Sequence, residues 1–224
     1  AIGSLAQSGA TADEILGGAA KSTILLANAT GGDFGQAGTI ATDVMALFGI
    51  EAEGMIDAVD GITGVTNTSK FDMEDYALAL SQAGGVAALS GVSFDDFNAV
   101  IAGTSPAFAS GSDAGTSFKG FLTALNPTTA EAKQLMQELG WVTEDGTNAF
   151  YDANGSLKDM DQVAGILNGT FDDMTEQTKT FYLEQIFGRD SMRTAGEMAR
   201  FTAEDFQALL DTMSNTSSMD MAAT

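Results

Sequence analysis

From Gly111 to Gly140 the chain reads GSDAGTSFKGFLTALNPTTAEAKQLMQELG, and this punctuation restricts the fold more than any bulk property. Gly111, Ser112 and Asp113 open an apolar-periodic run of about three turns. Asn126-Pro127 stops it, because proline lacks the N–H an ongoing helix needs and forces the preceding residue out of the helical region. Thr128 followed by Glu131 reads as the capped start of a second helix that runs to Gly140. The segment therefore reads as a sharply punctuated helix pair.

The same period recurs along most of the 224 residues, as in Ile15, Leu16, Ala19, Thr23 and Leu26, then Ile40, Val44, Leu47 and Phe48. Breaks are expected at Gly9, Gly31-Gly32, Gly49, the Thr66 to Ser69 run, Gly91, the Gly103 to Gly111 loop with Pro106, Pro127, Gly140, Gly155, Gly169 and Gly188. Start signals fall between them: Thr11 with Glu14, Asp72 with Asp75, Ser93 with Asp96, Thr128 with Glu131 and Thr202 with Asp205 each set a capping oxygen ahead of an acid in the first turn. Gly17-Gly18, Gly84-Gly85 and Gly115 lie inside helical patterns, where each glycine costs about 1 kcal/mol against alanine. The helices are therefore expected to pack closely yet be only modestly stable alone.

One stretch departs from the helical period. Asn148 to Ser156 reads as a short extended hairpin turning at Asn154-Gly155. The sequence thus predicts an all-α chain, a multi-helix bundle of short antiparallel helices with one small hairpin or loop near 148–157. Its parts are a helical core region over 1–140, the loop or hairpin over 141–157, C-terminal helices over 158–213, and a frayed tail over 214–224. The C-terminal helices are expected at about 158–168, 172–187, 190–200 and 202–213. Because the chain starts at Ala1 without methionine or a basic n-region, it reads as a piece of a longer polypeptide or a processed product.

Chemistry is constrained by what is missing. With no cysteine and no histidine, disulfides, thiolate metal sites, thiol catalysis and the commonest general base are excluded together. A net charge of −22 from 31 acidic and 9 basic residues argues against phosphate neutralisation and hence against nucleic-acid binding. No apolar run reaches the roughly 18 residues of a membrane-spanning helix. Gly17-Gly18-Ala19-Ala20-Lys21-Ser22 imitates a phosphate loop, but Ala20 stands where glycine must precede the lysine, and no strand presents it. Asp152, Asn154, Ser156, Asp159 and Asp161 are rich in oxygen, yet a calcium loop starting at Asp152 would place Leu157 at the obligatory glycine and Val163 at the bidentate glutamate.

The acid pairs Asp95-Asp96 and Asp172-Asp173 sit at first helical turns, where capping accounts for them. The acceptor tripeptides beginning at Asn28, Asn67, Asn168 and Asn215 arise easily in Asn- and Thr-rich turns and carry little weight. Phe94, Phe97, Ile101, Phe181, Ile186 and Phe187 read as helix-packing residues. No catalytic, cofactor-binding or metal-binding residue is therefore expected.

Several blocks together resemble the core region of the phage tail tape measure proteins, the family named after phage TP901. The likeness runs from about Gly9 to about Arg200. It rests on Ser8 to Ile15 as the first helix entry, Ala41 to Gly54, the Thr66 to Ser69 junction, Ala83 to Ala87 and Gly91-Val92-Ser93. The most specific block is Ala114-Gly115-Thr116 with Leu122, Leu125 and Pro127, followed by Leu139-Gly140, then Asp152, Gly155 and Leu157, and closing with Phe187-Gly188-Arg189. Phe118-Lys119 stands where a Leu-Arg pair is usual, and Gly103 to Ser110 replaces an alanine-rich turn.

The resemblance implies a virion structural protein in the tail lumen, assembled in the host cytoplasm, that sets tail tube length and leaves ahead of the DNA. It also implies no enzymatic activity, no cofactor and no direct nucleic-acid binding. Its implied partners are the tail tube protein, tail assembly chaperones, distal tail or baseplate proteins, further copies of itself in a homo-oligomer, and the host membrane for the full-length protein. The alternative is an acidic helical protein-binding or surface module, docking a partner through exposed Met and Phe faces.

Overall fold

The computed structural model describes residues 3, 6 and 11–215. After a helical turn at Ala12–Glu14 and a wider turn at Ile15–Ala19, ten α-helices follow among the described residues: α1 (Ala20–Thr30), α2 (Phe34–Phe48), α3 (Met55–Thr68), α4 (Met73–Leu89), α5 (Phe94–Thr104), α6 (Gly111–Ala124), α7 (Ala130–Glu138), α8 (Met160–Phe171), α9 (Glu176–Met198), which is broken as expected at Gly188 (φ 74°), and α10 (Ala203–Ser214). The all-α, multi-helix fold is as expected. Among the described residues the only sheet-like pairs are two isolated antiparallel bridges, Val142 with Asn148 and Tyr151 with Leu157.

Side-chain caps fix most starts. Asp72 accepts from the Asp75 N–H, Ser93 from Asp96, Ser110 from Asp113 and Thr175 from Thr178. At α10, Thr202 and Asp205 exchange both bonds of a capping box. Gly31 and Gly49 end α1 and α2 in the left-handed conformation, at φ 65° and 66°, which L-residues adopt at a cost.

Five details differ from the sequence reading. Thr129, not Thr128, caps α7 by accepting from Ala132 N–H; the two threonines are adjacent and only backbone geometry chooses between them. Gly169 does not stop α8, which continues to Phe171 because that ring is buried and rewards another half turn. Thr66 to Thr68 remain helical, and α3 ends at Thr68 with Ser69 as its extended C-cap. Gly18 is not mid-helix but a break at φ 143°, where an added Cβ would stand 2.9 Å from the Ala52 carbonyl oxygen. The hairpin at Asn154-Gly155 is one of two consecutive small turns, the other spanning 141–149. The break expected at Gly9, the Glu14 side chain meant to support a cap at Thr11, and the tail beyond residue 215 lie outside the described residues.

The centre of the fold is α6. On one side it lies against α4 so closely that Gly111 and Gly115 have no room for a side chain; a Cβ at Gly115 would be 2.6 Å from the Ala79 carbonyl oxygen, and one at Gly111 would overlap the Asp75 carbonyl. Asp75 pairs with Gly111 and Ala79 with Gly115, so α4 and α6 run in the same direction, with α5 as the return between them. The Gly111 N–H also donates to Asp75 Oδ1 at 2.8 Å. On the other side α6 meets α9 head to tail: Ser117 Oγ donates to the Asp190 carbonyl at 2.6 Å, and Phe121 stacks on Phe187 at 5.4 Å.

Buried apolar residues from Ala19 to Met213 form one connected core. Through it runs a line of rings, Phe48, Phe97, Phe118, Phe121, Phe187 and Trp141, with neighbouring centroids 5.4–6.3 Å apart. Trp141 then touches Phe150 and Phe171 edge-on, and its indole N–H donates to Thr170 Oγ1 at 2.8 Å. That contact ties the loop after α7 to α8.

Candidate functional site

The oxygen-rich cluster of the sequence separates into two places. Asp152 stays within its turn, accepting at Oδ1 from the Asn154 and Ser156 N–H groups at 2.8 and 2.9 Å. These bonds, that from Ser156 foremost, hold its carboxyl below the usual range. Asp145 does the same in the preceding turn, accepting from the Thr143 hydroxyl and, at 3.2 Å, from the Thr147 N–H. Both are self-contained turn locks. Asp159 and Asp161 point elsewhere.

They join a cleft between α3, α5, the start of α8 and α10, with a volume of about 610 Å³. Asp57 and Asp60 enter from α3, Asp95 and Asp96 from α5, and Asp211 from α10. Among the described residues no lysine or arginine lines it; Leu210 and Met213 supply apolar surface. Among the described residues no group of acidic side chains is placed to hold a metal ion. Sequence reading explained Asp95-Asp96 as capping residues, and Ser93 does accept from the Asp96 N–H at 3.0 Å. What it missed is the carboxylate: Asp96 is 6% exposed, and its Oδ2 accepts the Met160 N–H at 3.2 Å, linking α5 to the start of α8. Burial pushes the Asp96 carboxyl up to about 6; the Met160 N–H opposes this, while Asp159 and Asp161 add to it.

Behind the acids stands Asn98, 1% exposed. Its Oδ1 accepts from the buried Tyr76 hydroxyl at 2.7 Å, and its Nδ2 has no partner. Gly61 packs closely against it, since a Cβ there would stand 2.9 Å from Nδ2.

Away from the cleft the surface carries scattered apolar groups. Phe181, read from sequence as core, is 51% exposed, whereas Ile186 and Phe187 are buried as expected. Phe181 lies on the outer side of α9 against Tyr182. Among the described residues two ion pairs form, Arg189 with Glu184 at 2.9 Å and Arg200 with Glu197 at 3.5 Å, both at the surface. No helix of the described residues is long and apolar enough to cross a membrane.

Comparison with known proteins gives two findings. Residues 1–188 match the family described as phage-related minor tail protein. The tape measure protein of Pneumococcus phage Dp-1 is 28% identical over 189 residues, which is 84% of this chain and 16% of that protein. The chain thus spans about a sixth of the length of the curated relative it matches. No solved structure matches it significantly.

Proposed function

Since this chain belongs to the phage-related minor tail protein family, we propose that it is a non-enzymatic segment of a tape measure protein that sits in the tail lumen and helps set tube length. The match over residues 1–188 carries this reading, and the similarity to a tape measure protein supports it. The physical basis is the linear rise of a helix. In this reading the parent chain contacts the tube subunits around it, assembly chaperones before packaging, and distal tail proteins at its end. It departs before the DNA passes.

Conformation decides how much length such a segment supplies. Held as one continuous helix, a chain of this size spans about 340 Å; folded as described, it has a radius of gyration of about 17 Å. An in-frame deletion of the segment in the parent gene, with tail lengths measured by electron microscopy, tests both points. Tails shortened by about 340 Å would mean an extended segment in the tube, and tails shortened by a few tens of ångströms a folded one. Tails of unchanged length and normal assembly would overturn the length-setting role.

A further inference from the structure

The break in α9 is confined to one residue. Gly188 has φ 74° and ψ 167°, backbone that only glycine takes readily, while Phe187 and Arg189 on either side are helical. Crowding does not account for the glycine, since a Cβ there would meet open space. The reversal is sharp: a Cβ on Gly196 would stand 3.6 Å from Leu183 Cδ1, whereas an unbroken helix sets these two residues about 20 Å apart. Yet the buried positions Leu183, Phe187, Ser191, Thr194 and Met198 follow one another in steps of three or four straight through the break. Two independent helices owe each other no such phase; one helix carrying one stripe does.

The two arms are held unequally. Before Gly188 the buried side chains are Leu183, Ile186 and Phe187; after it they are Ser191, Thr194, Ala195 and Met198, small or polar but for the methionine. One buried hydroxyl of α6 fastens the second arm: Ser117 Oγ donates to the Asp190 carbonyl at 2.6 Å and accepts from the Thr194 hydroxyl at 2.8 Å. The α10 helix follows that arm, and Asp57 of α3 and Asp211 of α10, which line one cleft, oppose its docking. We infer that α9 is a two-position element hinged at Gly188, bent as described or one straight helix of about 35 Å once that residue turns helical and Ser117 lets go. A pull along the chain favours the straight form, because it separates the ends of α9. The hinge is a property of this chain and does not depend on the length-setting role, so either can fail alone; within that role it is a first step from folded to extended.

The chain has no cysteine of its own, so spin labels at Thr180→Cys and Arg200→Cys, both exposed, report the bend by pulsed electron resonance on the whole chain. The bent form keeps the labels within about 20 Å, twice the spacing of packed helices; the straight form sets them about 30 Å apart. Gly188→Ala strains the first and favours the second. The ratio of straight to bent should rise about a hundredfold, from below detection to about a tenth of the molecules, with helicity by circular dichroism retained. Gly85→Ala should leave only the short distance. A second measurement needs no change at the hinge: Ala195→Cys should react with a thiol reagent about tenfold faster or more than Ala83→Cys, which is buried in α4 away from the moving arm. Equal rates at the two cysteines, a distance that stays short in Gly188→Ala, a long one gained only with loss of helicity, or the same long one in Gly85→Ala would each overturn the inference.

Discussion

At the scale of single residues, polar atoms buried in the core set the clearest expectations. Thr63 and Ser22 are fully buried, and neither hydroxyl has a partner. Thr63→Val keeps the shape and removes the orphan, so it is expected to raise unfolding stability by about 1 kcal/mol in a denaturant titration. Asp96 gives a pH signature. Its folded carboxyl takes up a proton near pH 6 and the unfolded one near its ordinary 3.8, so the folded state binds the proton more tightly. The group's destabilising effect is therefore full above about pH 6 and fades as pH falls towards 4. Asp96→Asn should stabilise the chain relative to the parent by about 2 kcal/mol more at pH 7 than at pH 4, measured by urea unfolding at each pH. A difference that does not vary with pH would count against the burial of that carboxyl.

At the scale of elements, the glycines of α6 are contact surfaces. Gly115→Ala gains helix propensity but drives a methyl group into the Ala79 backbone; overpacking wins, with a net loss of about 2 kcal/mol expected in thermal or denaturant unfolding. Gly85→Ala, whose added methyl meets open space, should instead be neutral or stabilising by about 1 kcal/mol. Helix starts at Asp72, Ser93 and Thr202 were legible because the capping oxygen and the acid it serves are three residues apart. The ends at Gly31, Gly49 and Gly91 were legible because those positions take φ of 65–83°. The parallel course of α4 and α6 was not, since sequence spacing gives the face of a helix but not which distant helix covers it. The cleft was hidden for the same reason: its aspartates come from four separate elements, and each has a local reading as a cap or a solvated charge.

For the whole molecule, charge governs behaviour in solution. With 31 acids against 9 basic residues and two exposed ion pairs among the described residues, self-repulsion opposes the compact state. Raising monovalent salt from about 20 to about 300 mM should lift the melting temperature by about 5 °C, read by circular dichroism, through screening alone. A flat or falling trend would mean that specific ion pairs matter more than the net charge. The family was legible from Ala114-Gly115-Thr116 through Pro127, whose small residues are the ones pressed between α4 and α9. The rigid centre and the recognisable signature are thus the same residues.

Trp141 closes the line of core rings and is the chain's one tryptophan. It is 2% exposed and holds Thr170 through its indole N–H. Ultraviolet emission excited at its red edge therefore comes from a single fluorophore at the junction of the 141–157 segment with α8 and α9. A shift of that band to longer wavelength would signal water reaching this seam.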